Sequence, residues 1–202
     1  MTALTAALAT LSLPPELEEK LRDFSRLFMR WNRSINLSGA RDDAALELHI
    51  IDSLHAVPPL RSITAAATLP PPTSPSVLDV GSGGGLPAVV AAIALPSVQF
   101  TALEPVRKKH AFLRTAAREL ALGNLEALAQ RLEEHTPHAY DAAISRATFD
   151  LREWLELGST FVRPGGRVLG FEAIPRSDLP ASTERISYIL GEKKRSIVVL
   201  QR

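Results

Sequence analysis

Residues 76–87 read SVLDVGSGGGLP, a short aliphatic run carrying Asp79, then Gly81, Gly83, Gly84 and Gly85, then Leu86 and Pro87. An apolar run followed by clustered glycines and a helical stretch over Leu86–Leu95 predicts a strand, a tight turn and a helix start. The glycines permit the turn and let backbone N–H groups approach a ligand without interference from Cβ atoms. The dinucleotide fingerprint G-x-G-x-x-G does not fit, because the sixth position counted from Gly81 is Leu86. What remains is D-x-G-x-G-x-G, with the acid leading the glycines.

Outward from this loop, short aliphatic runs alternate with helical stretches: VQFTALE then Arg107–Leu122, NLEALA, DAAIS then Phe149–Phe161, and GRVLGFE. Such alternation predicts βαβ units and a parallel sheet. The C-terminal end differs, since RISYIL and RSIVVL flank GEKK and predict an antiparallel hairpin. On the N-terminal side the spacing of Leu17, Leu21, Phe24, Leu27, Phe28 and Trp31 predicts an amphipathic helix over Pro14–Ile35. A second helix is expected from Asp42 to about Val57, stopped by Pro58-Pro59. Thr64–Pro75, with four prolines, reads as a linker. The chain thus divides into a helical extension (1–60), a linker (61–75) and an α/β domain (76–202).

Composition narrows the classes. The 202 residues contain no cysteine, which excludes disulfides and thiolate metal sites and suits a reducing, cytoplasmic setting. Met1–Leu13 lacks the basic start and long apolar core of a signal peptide, and no apolar run nears the roughly 20 residues that cross a bilayer. The net charge of +1 means that attraction to a polyanion must come from local patches. Two are visible: Arg22, Arg26, Arg30 and Arg33 on one helix face, and Arg107, Lys108, Lys109, His110, Arg114 and Arg118. The first reads equally as a face neutralised by Glu19 and Asp23.

Candidate ligand-binding groups follow the glycine loop. Glu104 ends the second domain strand, where a carboxylate can accept both ribose hydroxyls of a nucleoside cofactor. Backbone groups of Gln130–Glu134 could hold an adenine. Five segments taken together, WNRSINLS (31–38), HIIDSL (49–54), DVGSGGGLP (79–87), KK with FLR (108–114) and ISRA (144–147), resemble in order and spacing the bacterial 16S ribosomal RNA (guanine-N7) methyltransferases, the glucose-inhibited division protein B family.

The resemblance implies a Rossmann-like class I methyltransferase fold, a mostly parallel seven-stranded sheet ending in an antiparallel hairpin. It implies S-adenosylmethionine as cofactor and, as partner, 16S rRNA in the small ribosomal subunit or its precursor. No metal or membrane is implied, and a monomer is expected. The implied reaction is methylation of one guanine at N7 in the 530 loop. Asp79, Gly81, Gly83, Gly85 and Leu86 match the glycine-loop cofactor motif, Glu104 the ribose acid, and Leu132 and Glu133 the adenine side. Arg146, the arginine of ISRA, matches the group at the cofactor and target-base pocket and is the expected catalytic residue. His49 reads either as a group over the cofactor or as a half-buried histidine between helix and sheet. Two positions depart from the pattern: Ala88 follows Pro87 where glycine is usual, and Glu172 stands where the family carries lysine, reversing a charge near the pocket. The alternatives are a non-catalytic RNA- or ribosome-binding protein on the same fold, and an NAD-dependent oxidoreductase. Intact motifs count against the first, Leu86 and the terminal hairpin against the second.

Overall fold

A computed structural model describes residues 2–66, 74–135, 137 and 140–202. Four helices come first: α1 (Ala3–Thr10), α2 (Leu17–Ile35), α3 (Asp43–Leu54) and α4 (Val57–Ala66). They lead into β1 (Ser76–Val80), α5 (Ala88–Ala94), β2 (Gln99–Leu103), α6 (Arg107–Glu119), β3 (Leu125–Leu128), β4 (Tyr140–Ser145), α7 (Leu151–Ser159), β5 (Val162–Glu172), β6 (Thr183–Leu190) and β7 (Lys193–Gln201). The seven strands form one sheet in the order β3-β2-β1-β4-β5-β7-β6. The first five are parallel, and β7 runs antiparallel between β5 and β6. Gly191, at φ +59°, opens the two-residue turn from β6 to β7, a conformation that costs glycine little.

Strand periodicity builds two cores. Val77, Ala142, Ile144, Leu169, Ile197 and Val199 face one side of the sheet, and Leu78, Ala143, Val168 and Val198 face the other. The second side is covered by α7 through Trp154 and Leu155. The first side is covered by α5 and α6 and also by the N-terminal helices, whose Leu4, Leu21, Phe24, Phe28, Leu46 and Leu54 join the same cluster. Phe24, Phe28, Trp31 and Phe112 of α6 meet mostly edge to face at 5.7–6.4 Å between centroids. Such pairs add roughly 0.5–1.5 kcal/mol each beyond simple burial. The N-terminal helices are therefore a continuation of the core, and Phe24 and Phe28 are interior groups.

Beyond one helix that the sequence reading did not delimit, two expectations need correction. The start of the chain forms α1, capped by Thr2 and burying Leu4 and Leu8. Pro58-Pro59 does not stop a helix: α3 ends at Leu54, and the prolines lie in the first turn of α4, where a missing N–H leaves no bond unmade. Helix α4 then runs to Ala66, so the linker drawn at 61–75 begins too early; residues 67–73 lie outside the described residues. Among the described residues no helix is long and apolar enough to cross a membrane.

Candidate functional site

In open α/β sheets a ligand crevice forms beyond the carboxyl ends of the strands, where strand order reverses. Here the reversal lies between β1, which continues to β2, and β4. The glycine loop leaves β1 and Arg146 leaves β4 at that point, and the two line one cavity of about 640 Å³, a size suited to a small-molecule ligand.

The loop is stitched from several sides. The Gly81 and Ser82 N–H groups both donate to the Leu103 carbonyl at 3.0 Å. Glu104, only 5% exposed, accepts from the Gly83 N–H and the Val106 N–H, each at 2.8 Å. Asp79, 1% exposed, accepts from the Ala88 N–H at 3.2 Å through one oxygen, while its Oδ1 has no partner. Burial above all pushes the Asp79 carboxyl up to about 7; Glu104 adds to this, whereas the nearby Ser82 hydroxyl, the Ala88 N–H and Arg146 oppose it. The outer side of the loop is closed by the helical extension: a Cβ on Gly84 would sit 2.4 Å from Cε2 of Phe28 and 3.2 Å from Cβ of Leu37. A Cβ on Gly81 would strike the Thr148 side chain.

Arg146 is held by two groups. Its Nη1 donates to Asp52 Oδ2 of α3 at 3.2 Å, and its guanidinium lies 5.9 Å from the centroid of Phe171. Asp52 Oδ1 accepts in turn from the Tyr188 hydroxyl of β6 at 2.6 Å, and Tyr188 stacks on His55 at 3.7 Å. Burial and the Asp52 charge push the Tyr188 phenol up, so it stays a hydrogen-bond donor. His49 also lines the cavity; burial, reinforced by Arg146, lowers its pKa and favours the neutral ring. The chain turns out of β4 at Ala147, whose φ of +59° is a conformation most side chains avoid.

A second hollow of about 180 Å³ adjoins the first, sharing Gly81 and Thr148 with it and lined also by Pro105, Leu132 and Glu133. Gly81, Gly83, Leu86 and Arg146 thus line the main cavity, and Leu132 and Glu133 the side hollow. Asp79, Gly85 and Glu104 lie behind the surface. Glu104, expected to meet a ribose, here clasps the loop, and Gly85 gives close packing against Val89 and Leu113. Asp52, Phe171 and Tyr188 complete the site; the sequence put Asp52 in the HIIDSL segment, and Phe171 and Tyr188 only in strands.

Of the two sequence departures, Glu172 has a local explanation and Ala88 none in the contacts it makes. Glu172, with its side chain 1% exposed, accepts from Arg185 Nε at 2.6 Å and Nη2 at 2.9 Å, and from the Arg176 N–H at 2.9 Å. Its charge is therefore met by Arg185 and adds no uncompensated negative charge to the cavity wall. Ala88 is fully buried at the start of α5 and supplies the N–H that Asp79 accepts. Of the arginine stripe on α2, Arg22 pairs with Glu18, Arg26 with Asp23 and Arg30 with Glu119. Three of its four members are neutralised.

The model of the family described as rRNA small subunit methyltransferase G matches residues 17–201. The ribosomal RNA small subunit methyltransferase G of Burkholderia thailandensis is 41% identical over 160 residues, covering 76% of this chain and 66% of that protein. That of Bordetella avium is 40% identical over 179 residues, covering 85% of this chain and 77% of its own length. The chain thus spans just under two thirds of the first of these relatives. Among solved structures, the human methyltransferase 10 domain containing protein superposes with a TM-score of 0.60 at 11% identity, covering 89% of this chain and 95% of that one. The METTL16 MTase domain gives 0.58 at 11% identity, covering 75% and 68%. At such identities the structural likeness establishes the fold, a Rossmann-like methyltransferase sheet.

Proposed function

Because the chain belongs to the rRNA small subunit methyltransferase G family, we propose that it transfers a methyl group from S-adenosylmethionine to N7 of a guanine in the 530 loop of 16S rRNA, acting in the cytoplasm on the small subunit or its precursor. The observation that carries this reading is the shared cavity. A glycine loop closed by two buried carboxylates and an arginine anchored by Asp52 meet at the switch point of the sheet.

The residues present fit the cofactor. When bound, S-adenosylmethionine supplies an electrophilic methyl group on a sulfonium centre. The Asp79 oxygen that is buried without a partner suits a cationic amine donor, whose arrival would satisfy it. The loop around Gly81 and Gly83 brings backbone close to the ligand without side-chain bulk, and Leu86 adds an apolar wall. In this reading the side hollow of Pro105, Leu132 and Glu133 would take the adenine. Glu104 holds the loop that must receive the ribose.

Guanine N7 carries a free lone pair and no proton at neutral pH, so the chain has no proton to remove. Of the side chains lining the cavity, Asp52 is already engaged with Arg146 and Tyr188. The work left to the protein is alignment, together with electrostatic control around a purine that becomes cationic. Arg146 belongs on O6, a phosphate or the cofactor carboxylate, because a donor on N7 would block the attacking lone pair.

The test is methyl transfer from labelled S-adenosylmethionine to small ribosomal subunits lacking the modification, with the modified nucleotide mapped. Label on N7 of one guanine in the decoding-centre loop is expected, and Arg146→Ala should lower turnover by about 100-fold, the scale seen when one preorganised donor is removed. Label elsewhere, or none in a protein that binds the cofactor, overturns the reading; full turnover by Arg146→Ala removes that residue's role.

A further inference from the structure

The carboxylate partners of α2 leave one arginine unclaimed. Arg33, at the last turn of the helix, and Arg41, just before α3, have no carboxylate partner among the described residues. Both are exposed and line an open hollow of about 470 Å³, together with Asn36 and Ser38. Ser38 also lines the cavity that holds Arg146, so the two spaces adjoin. Lys109 and Arg195 line that cavity too, again without a carboxylate partner. The arginines farther up α2 are engaged in intramolecular pairs, whereas Arg33 and Arg41 stand beside the cavity without one among the described residues.

The hollow is also preorganised. Asn32 Oδ1 accepts from the Leu37 and Ser38 N–H groups at 2.6 and 3.0 Å, and its Nδ2 donates to the Ala40 carbonyl at 2.8 Å. Asn36 turns the chain at φ +47°, and Leu37 and Ala40 are buried beneath the loop. The nearest acid in sequence, Asp42, is committed to capping α3, its Oδ1 accepting from the Ala45 N–H at 2.8 Å.

We propose that this hollow between the end of α2 and the start of α3 is a phosphate-binding site for the RNA strand flanking the target nucleotide, with Arg33 and Arg41 as its cations. The proposal rests on the rRNA reading above and adds a residue-level contact to it. An arginine fork matches phosphate geometry, and an unpaired arginine releases the RNA's counterions without first giving up an internal partner. A base presented from a single-stranded loop must be held by its flanking backbone, and a rigid basic hollow next to the cavity does this.

The experiment compares wild type, the neutralised pair Arg33→Gln/Arg41→Gln, and a control, Arg22→Gln/Arg26→Gln. Each is measured for S-adenosylmethionine affinity by calorimetry, for kinetics of methyl transfer to unmodified small ribosomal subunits, and for the salt dependence of subunit binding. The Arg33/Arg41 variant should keep its cofactor affinity and its kcat, raise KM for subunits roughly tenfold, and lower the slope of log affinity against log salt by about 1.5, for two lost phosphate contacts. The control should match wild type. An Arg33/Arg41 variant with wild-type KM and slope overturns the inference while leaving the rRNA reading intact. Loss of cofactor affinity in that variant also overturns it, because the arginines would then support the loop. A wild type that neither binds nor modifies subunits brings down the rRNA reading itself, and with it this site.

Discussion

At Asp79 the fold keeps a carboxyl group under the glycine loop at a pKa of about 7, against an ordinary value of 3.8, chiefly because burial disfavours its charge. A folded-state pKa above the unfolded one means that the native chain binds more protons between these values. Stability therefore falls as pH rises from about 4 through about 7. At about 1.4 kcal/mol per pKa unit the full penalty is on the order of 4 kcal/mol at alkaline pH. Arg146 and Glu104 are the charged groups that act on it, in opposite senses. Asp79→Asn removes the penalty, so its melting temperature should gain on wild type as pH is raised from 5 to 8. A cationic amine on the free oxygen reverses the preference toward the ionised acid. Wild-type affinity for S-adenosylmethionine should accordingly climb with pH until about 7, while Asp79→Asn binds more weakly and without this dependence. Parallel pH profiles for the two proteins, in thermal melts and calorimetry, would show that Asp79 does not titrate in this range. The sequence made Asp79 a candidate because of its place before the glycines. That its second oxygen is buried without a partner depends on how α5 and the loop pack over it, and no local pattern encodes that.

Among the elements, α2 is the one whose role changes most between sequence and structure. Its apolar spacing marks a buried face, but spacing does not say what that face meets; Phe28 meets Gly84, so the extension forms the back wall of the glycine loop. Gly84 has an ordinary backbone conformation, and its requirement for glycine is one of space. Gly84→Ala should therefore cost about 1–3 kcal/mol by overpacking and weaken cofactor binding by displacing the loop. Phe28→Leu on the same chain should recover part of both losses, giving a double mutant less destabilised than the sum of its parts in urea titrations. Strict additivity would place the strain elsewhere. The βα alternation and the terminal hairpin were legible because strand and helix periods are local properties. Tyr188 was not, because it reaches Asp52 only after β6 has been carried across β7 to the edge of the sheet and laid against α3. The prolines at 58–59 misled for a related reason. They forbid a helix interior but favour a helix start, and only the length of the preceding helix decides which applies.

For the whole molecule, the shared core makes a prediction about cooperativity. The chain has two tryptophans, and they lie on opposite sides of the sheet. Trp31 packs from α2 against Phe112, while Trp154 is 2% exposed beneath α7 and donates through Nε1 to the Leu169 carbonyl at 2.7 Å. If residues 1–60 were an appendage, Trp31 would report a separate, weaker transition. Because their buried side chains share one cluster with β1, β4, β5 and β7, both tryptophans should follow a single unfolding event. Trp154→Phe leaves Trp31 as the only tryptophan, and Trp31→Phe leaves Trp154. In each variant the fluorescence transition in urea should coincide with the loss of far-ultraviolet circular dichroism. The midpoint should fall further in Trp154→Phe, which leaves the Leu169 carbonyl without its donor. Fluorescence of Trp31 lost well ahead of the dichroism would mean that the extension melts from the sheet on its own. The Phe28–Gly84 contact would then open with it, and the back wall of the glycine loop would be a movable part. Coincident curves instead tie the integrity of that loop to the global stability of the fold.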